Sequence, residues 1–285
     1  MKRLMSGVFV LTLLVGCESQ PAGSKAQPNP GGGSSGTSGG RWDKVEAGVA
    51  SSYAKRNAPA VQALLDQMLK AYRGAQSMEM RGTYTSSFIY LGERTKPTVR
   101  EFEFLFRRPD RFRLVSHDPN DPNSPYSGWV DGATGARSTY NGSKAVQAYD
   151  PDDVYIGASG AVGPFANSIF DLVIIHRKLP DPDGAITLAK RVKDAKIAGR
   201  EEVEGVMCDR IEGTVSDDPE VSIWTGTNDH LIRKFEIRFR APFHPDESIS
   251  TIVCRPVLNP PASDDAHLFK PPGAAAPGFP MPARR

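Results

Sequence analysis

Long hydrophobic runs are almost absent from this chain of 285 residues. The one clear run, from Leu4 to Val15, is too short to span a bilayer, and no later stretch is long enough to form a membrane helix. An excess of charge of one sign is also lacking, because the formal net charge is +2 and both signs are spread along the chain. Since there is no basic stripe, we expect no nucleic-acid partner.

Catalytic motifs are missing as well. The segment from Gly157 to Ala161 lacks the final glycine of a G-x-S-x-G nucleophile elbow, and the glycines from Gly31 to Gly40 have no flanking strand with which to cradle a phosphate. An aspartate run beside Pro151 is typical of a solvated turn. The five histidines are scattered without metal-ligand spacing: His117, His176, His230, His244 and His267. The sequence therefore predicts no enzymatic activity, no cofactor and no metal site.

Cysteine is scarce, with three residues in the chain. Cys17 follows a basic start, a short apolar run and the small residue Gly16, which is the pattern of a lipoprotein signal peptide. We predict cleavage before Cys17 and acylation of this cysteine, which would attach the protein to a membrane. A plain secretory signal with an unrelated cysteine is the alternative. Glu18, rather than aspartate, favours the periplasmic face of the outer membrane.

Cys208 and Cys254 each lie in a strand-like segment, and neither has a metal-type spacing. An oxidising export compartment permits a disulfide between them. Two buried free thiols are the alternative.

Composition divides the chain into four parts. Residues 1–16 are the predicted signal peptide. Residues 17–57 form a lipidated N-terminus and a flexible linker, because much of this stretch is rich in glycine, serine, proline and glutamine. Residues 58–270 have the periodicity of one folded domain. Residues 271–285 are a Pro- and Ala-rich tail that we expect to be disordered.

Two helical segments are predicted in the folded part. The first begins near Pro59 and ends at Gly74, with apolar residues three and four apart: Val61, Leu64, Leu65, Met68, Leu69 and Tyr72. The second is opened by Gly163-Pro164, and its apolar spacing is given by Phe165, Ile169, Leu172, Val173 and His176.

Period-two patterns fill most of the remaining domain and predict antiparallel strands. Phe102, Phe104 and Phe106 share one face of a strand, and the intervening residues, including Arg100, are interpreted as its polar face. The Asp- and Pro-rich stretch from Asp118 to Ser127 is interpreted as a surface loop. The fold class is therefore α+β, mostly β, with a sheet covered on one side.

Three motifs in order resemble the LolA/LolB-like superfamily of bacterial lipoprotein carriers, which includes the envelope-stress sensor RseB. The stretch from Phe106 to Phe112 is similar to the family's strand, Arg-Pro turn and returning aromatic strand. Tyr140 to Pro151 resembles its Gly-Lys hairpin followed by Tyr-Asp-Pro, and Leu268 to Gly273 resembles its terminal aromatic residue and Pro-Pro-Gly.

The resemblance implies a curved antiparallel half-barrel with helices across its concave face. Arg108 matches the arginine that latches the helical lid in the carriers, and a solvated basic residue is the alternative. The concave face would be a cavity for acyl chains, although its aromatic residues suit a filled core equally well. The cavity candidates are Leu65, Met68, Phe88, Phe102, Phe104, Phe106, Phe112, Trp129, Phe165, Ile169, Trp224, Phe235 and Phe239.

The residues and the resemblance together favour a membrane-anchored periplasmic binding protein without catalytic activity. Its half-barrel would hold a lipid or an acylated hydrophobe, in keeping with lipoprotein handling. The alternative is an envelope sensor or protein-interaction module of the same fold, with an envelope protein as partner and no lipid ligand.

Overall fold

The computed structural model describes residues 57–90, 92–132, 136–139, 147–149, 151–163, 166–173, 188–215, 219–240, 247–261 and 266–269. The predicted signal peptide, the acylation site Cys17, the linker up to residue 56, Phe165, His176 and the tail 271–285 lie outside these residues.

Helices contribute a small part of the described structure. They are α1 (Pro59–Gly74), α2 (Pro151–Val162), α3 (Asn167–Phe170), α4 (Leu188–Arg191) and a C-terminal 3-10 helix (Ala266–Phe269). None of the helices in the described ranges is both long enough and apolar enough to cross a membrane.

Within the described ranges, twelve antiparallel strands form one sheet. They are β1 (Ser77–Tyr90), β2 (Glu93–Arg94), β3 (Thr98–Arg107), β4 (Arg111–Asp118), β5 (Asp121–Asp131), β6 (Ala136–Thr139), β7 (Gln147–Tyr149), β8 (Val192–Val203), β9 (Val206–Val215), β10 (Glu220–Gly226), β11 (Ile232–Arg240) and β12 (Glu247–Leu258).

The strand order shows how the sheet is built from two halves. Its path is β7-β6-β5-β4-β3-β1-β12-β11-β10-β9-β8, with the short β2 paired to the end of β1. The long antiparallel pairing of β1 with β12 joins an N-terminal meander to a C-terminal one. Because β7 and β8 are edges that do not pair with each other, the sheet is a curved half-barrel, as predicted.

The register defines the two faces of the sheet. Tyr84 is opposite Ile252, and Gly82 is opposite both Phe102 and Cys254, so these residues share the face that we call the inner face. A Cβ at Gly82 would lie 2.5 Å from the Val253 carbonyl oxygen and 2.7 Å from the Phe102 ring. Glycine is therefore required where β12 and the Phe102 ring come this close to β1.

Helix α1 packs on the inner face and confirms the first helix prediction, because its six predicted apolar residues are all buried. Both of its ends are tied to the sheet. At the N-terminal end, the Asn57 amide donates to the Val192 carbonyl at 2.9 Å. At the C-terminal end, the Tyr72 hydroxyl accepts a hydrogen bond from the Ile232 N–H at 3.0 Å.

Two local predictions were wrong. The stretch from Asp118 to Ser127 is mostly strand, because β5 begins at Asp121 and pairs with both β4 and β6. The second helical segment starts earlier than expected, as α2 at Pro151, and is interrupted at Gly163 before the four-residue α3. Helix α2 was missed because Gly157 and Gly160 give it a low helix propensity, which its packing on β5 overrides.

Candidate functional site

An aromatic groove crosses the inner face of the sheet. Phe102 and Phe104 lie on β3, Phe112 lies on the neighbouring β4, and Tyr126 lies on β5. All four are buried. Their side chains share one face, because Phe112 is opposite Phe106 on β3 and Tyr126 is opposite Ser116, which is itself opposite Phe102. We call this set the aromatic groove.

Residues 151–163 and 166–173 cover the aromatic groove, and we call them the lid. Phe170 from α3 stacks on Phe104 with ring centroids 4.7 Å apart, and its ring is edge-on to Phe102 at 5.9 Å. Tyr155 from α2 meets the Phe112 ring edge-on at 6.0 Å. Rings of the lid therefore occupy the groove in this conformation.

Apolar packing dominates the contact between lid and sheet. Nine lid residues are nearly inaccessible to solvent: Val154, Tyr155, Ala158, Val162, Ala166, Ile169, Phe170, Leu172 and Val173. Hydrogen bonds also cross the contact, among them those from the Tyr126 hydroxyl to the Val154 carbonyl at 3.2 Å and from the Ser116 hydroxyl to the Ala161 carbonyl at 3.2 Å. The lid is therefore held on the sheet mostly by hydrophobic contacts, which any apolar group of suitable shape can also make.

A polar contact within the lid joins its two helices. The Tyr155 hydroxyl donates to the Asp171 carboxylate at 2.5 Å. Burial, together with the negative charge of Asp171, raises the pKa of Tyr155 well above its ordinary value of 10.0. This hydrogen bond joins α2 to the residue that follows α3, so it braces the two parts of the lid against each other.

Glycines allow the lid to approach the sheet closely. A Cβ at Gly163 would overlap the ring of Tyr84, and one at Gly157 would lie 3.2 Å from the Tyr126 hydroxyl. On the outward side of α2, by contrast, a Cβ at Gly160 would have no atom within 4 Å. Small residues therefore mark the side of the lid that meets the sheet.

Most of the predicted cavity residues come together in one buried cluster. It contains Leu65, Met68, Phe102, Phe104, Phe106, Phe112, Ile169 and Phe235. Leu65, Met68 and Ile169 have no exposed surface, so in this conformation the cluster is a filled core. The two cavities described for the sheet lie instead over its polar side chains, with volumes of about 470 and 430 Å³.

Four of the predicted cavity residues that the structure describes lie outside this buried cluster. The Phe88 side chain is 52% exposed near the end of β1. Trp129 is opposite Arg113 and Trp224 is opposite Lys234, so both indoles lie on the outer face. Trp224 is buried there because Arg210 lies 5.3 Å and Lys234 lies 4.1 Å from its ring centroid. Phe239 lies on the inner face but is only half-buried.

Arg108 holds the C-terminal end of α1. Its Nε donates to the Ala75 carbonyl at 2.9 Å, and its Nη2 donates to the Arg73 carbonyl at 3.0 Å. The guanidinium also lies 5.3 Å from the Phe106 ring centroid. A cation at this position satisfies carbonyls that a helix C-terminus leaves unpaired. Burial, and secondly the nearby Arg73, lower the pKa of Arg108.

A polar cluster lies on the inner face beside the aromatic groove, and the sequence reasoning missed it. The Tyr84 and Ser250 hydroxyls are hydrogen-bonded at 3.0 Å, and the Arg100 Nε donates to the Ser116 hydroxyl at 3.2 Å. Arg100 was predicted on the polar face, yet it is opposite Tyr84 in the register. The signal was its even spacing from Phe102, Phe104 and Phe106 on the same strand.

Cys208 and Cys254 are both free and buried, so the predicted disulfide between them is wrong. Strands β10 and β11 separate the two cysteine-bearing strands, which excludes the short Cα separation of a disulfide. The Cys254 thiol donates to the Ile232 carbonyl at 3.3 Å, and burial raises its pKa from 9.0 to about 12. The alternative of two buried free thiols is the observed state.

The described residues contain no group of three or more histidine, cysteine or acidic side chains that could hold a metal ion. The tyrosine hydroxyls in and beside the groove are committed to hydrogen bonds, namely those of Tyr84, Tyr126 and Tyr155. What the arrangement offers chemically is an apolar groove with a polar cluster at one end.

Several solved structures are similar to this one. The lipoprotein LppX of Mycobacterium tuberculosis is 14% identical, with a TM-score of 0.42, and the match covers 70% of this chain and 95% of that one. LprF of Mycobacterium bovis is 16% identical, with a TM-score of 0.40 and coverages of 70% and 93%.

A LolA superfamily protein of Nitrosomonas europaea is 10% identical, with a TM-score of 0.31 and coverages of 74% and 97%.

No characterised protein matches the sequence significantly. Residues 61–277 match the family model described as predicted periplasmic protein, DUF2092. The match includes all twelve strands, the lid and most of α1. The chain therefore belongs to the DUF2092 family of predicted periplasmic proteins.

Proposed function

We propose that this protein is a non-catalytic periplasmic binding protein that takes an acyl chain or a similar hydrophobe into the aromatic groove. The observation that carries the proposal is the position of Phe170, a lid side chain that fills the groove between Phe102 and Phe104. In this proposal the described conformation is the closed, ligand-free form. Binding requires the lid to move away and the ligand to take the place of its side chains.

The energetics support such an exchange. Removing a buried phenylalanine from its contacts costs about 3–5 kcal/mol, and each buried methylene of a ligand contributes about 0.8 kcal/mol. An acyl chain of common length therefore offsets the lost contacts of Phe170. Because the lid packs on the sheet largely through apolar side chains, an apolar ligand can replace much of what holds the lid closed.

Lipid extraction from the full chain, purified from its own membrane and analysed by mass spectrometry, tests this function. We expect a bound acyl lipid, and we expect its addition to the delipidated protein to raise hydrogen exchange in α2 while β1 and β12 stay protected. If no hydrophobe is recovered and none binds on addition, the proposal is wrong.

A membrane anchor on Cys17 forms part of the proposal, with the outer membrane as the destination because Glu18 follows. A Cys17→Ser variant should release the protein into the soluble periplasmic fraction and lose metabolic labelling by palmitate. Cys208→Ser is the matched control, since that thiol is buried, and it should stay membrane-bound and labelled. Retention of the label in Cys17→Ser would exclude this anchor.

A second candidate is an envelope sensor or interaction module that binds another protein. The filled inner cluster favours it, as does the cavity of about 470 Å³ flanked by Arg81, His117 and Arg255. Crosslinking in whole cells distinguishes the two functions. One dominant protein partner without extracted lipid supports the second candidate, whereas lipid without a partner supports the first.

A further inference from the structure

The inner face is not uniformly apolar, and its polar residues are gathered beside the aromatic groove. Tyr84 on β1 is directly opposite Arg100 on β3, and Ser86 on β1 is directly opposite Ser250 on β12. Side chains opposite each other in antiparallel strands have Cβ atoms about 5 Å apart. Four polar side chains thus share a small area of three adjacent strands.

Hydrogen bonds link this polar area to the lid. Arg100 donates through Nε to the Ser116 hydroxyl, and the same hydroxyl donates to the carbonyl of Ala161 in the last turn of α2. Gly163, two residues further on, lies against the Tyr84 ring. The polar area is therefore covered by the end of α2, and movement of the lid would uncover it together with the groove.

The groove begins where the polar area ends. Phe102 follows Arg100 by two residues on the same face of β3, and Phe104 and Phe106 continue the row. From Arg100 to Phe106 the strand extends about 20 Å at 3.3 Å per residue. This is close to the length of an extended palmitoyl chain, so the cation and the apolar row that follows it on one face of β3 together match the length of such a chain.

We infer that Arg100, Tyr84, Ser116 and Ser250 form a head-group site for an anionic amphiphile whose alkyl chain lies along the aromatic groove. Arginine offers a planar fork of N–H donors that fits a carboxylate or a phosphate, and the serine and tyrosine hydroxyls donate further hydrogen bonds to anionic oxygens. A neutral ester head offers no charge to the guanidinium. The inference rests on the proposed function and adds the class and orientation of the ligand.

The test is isothermal titration of the delipidated full chain with three probes: palmitate, methyl palmitate and lysophosphatidylglycerol. We expect both anionic probes to bind about tenfold more tightly than the methyl ester, which is the size of effect of one hydrogen bond to a charged group. The tighter of the two anionic probes identifies the source of the head group, a free fatty acid or a phospholipid.

Arg100→Gln should remove the preference for anionic probes while methyl palmitate binds as before. Arg81→Gln is the matched control, because Arg81 is on the opposite face of the sheet with its side chain 80% exposed, and it should keep the preference. Arg100→Lys retains the charge and should keep part of the preference for anionic probes. Thermal unfolding of each variant verifies that it folds. If Arg100→Gln does not fold, Tyr84→Phe is used in its place to test the site.

The outcomes separate this inference from the proposed function. If methyl palmitate and palmitate bind equally to the wild-type protein, the head-group site is wrong and hydrophobe binding stands. An equal loss of preference in Arg81→Gln also contradicts it. If none of the three probes binds, the proposed function itself fails.

Discussion

The ring of Tyr84 fills the space in which a side chain at residue 163 would lie. A Cβ placed on Gly163 overlaps this ring, so the lid reaches its position only because residue 163 is glycine. The hydroxyl of Tyr84 is hydrogen-bonded to the Ser250 hydroxyl, which fixes the position of the ring. The contact joins the turn after α2 to the centre of the sheet.

Gly163→Ala should therefore push the lid away from β1. We expect a loss of about 1–3 kcal/mol in the free energy of unfolding, as for overpacking in a core, together with faster hydrogen exchange in α2. Gly160→Ala is the control on the same helix. Because nothing lies within 4 Å of its Cβ, alanine there should raise stability by up to about 1 kcal/mol. Equal effects of the two substitutions would contradict this contact.

Phe170→Ala should weaken the closed lid and open space in the groove. We expect the free energy of unfolding to fall by about 3–5 kcal/mol and an apolar dye to bind more strongly, since the alanine leaves the Phe104 ring uncovered. Ile156→Ala on the exposed side of the lid, where the side chain is 65% exposed, should change neither quantity. Unchanged dye binding in Phe170→Ala would show that this ring does not occupy a binding site.

Arg108→Leu should loosen the C-terminal end of α1 and leave the lid unaffected. Loss of the two bonds to the Ala75 and Arg73 carbonyls is expected to cost about 2 kcal/mol of stability. Hydrogen exchange should rise in residues 72–76 and stay constant in α2. If exchange rises in α2 instead, Arg108 is the lid latch that the family resemblance implied.

Alkaline pH should destabilise the fold through Cys254. Its pKa is about 12 in the folded protein and 9.0 ordinarily, so above pH 9 the unfolded chain loses this proton while the folded one retains it. The unfolded state is then favoured, and stability falls by up to about 1.4 kcal/mol per pH unit from pH 9 towards pH 12. Below pH 9 the thiol is protonated in both states, so the folded protein keeps the full stability associated with the buried Cys254.

Denaturant unfolding of wild-type protein and Cys254→Ala between pH 8 and 11 measures this effect. The difference in stability between the two proteins should shrink as the pH rises, because the alanine variant has no thiol to titrate. The comparison cancels the titration of lysines and tyrosines, which the two proteins share. A constant difference over this range would mean that the Cys254 pKa is not raised.

Periodicity predicted those parts of the fold in which each strand or helix has one clearly apolar face. Helix α1 and the row Phe102, Phe104 and Phe106 were found for this reason, and all of them are buried as expected. In β10, however, Ile223 and Trp224 are neighbours and point to opposite faces. Which of two adjacent apolar residues faces the helices depends on strand pairing, which short-range patterns do not encode.

The candidate site depended even more on long-range contacts. Lid helix α2 contains two glycines that lower its helix propensity, and it is stabilised by its packing on β5 and by Tyr126. Arg100 was assigned to the polar face because of its charge, although its spacing matched the apolar row. A charged residue in register with an apolar row is the sequence signal that would have located the polar cluster.

The anchoring of α1 has a consequence for the order in which the chain folds. Asn57 bonds to a residue 135 positions later, the Tyr72 hydroxyl to one 160 positions later, and the Gln76 N–H to Asn259, 183 positions later. A helix at the start of the domain thus obtains its partners from strands at the end. Contacts over such sequence distances slow folding, because a large loop must close before they form. Helix α1 is the first element of the domain to be synthesised, and it stays undocked until most of the domain has followed it.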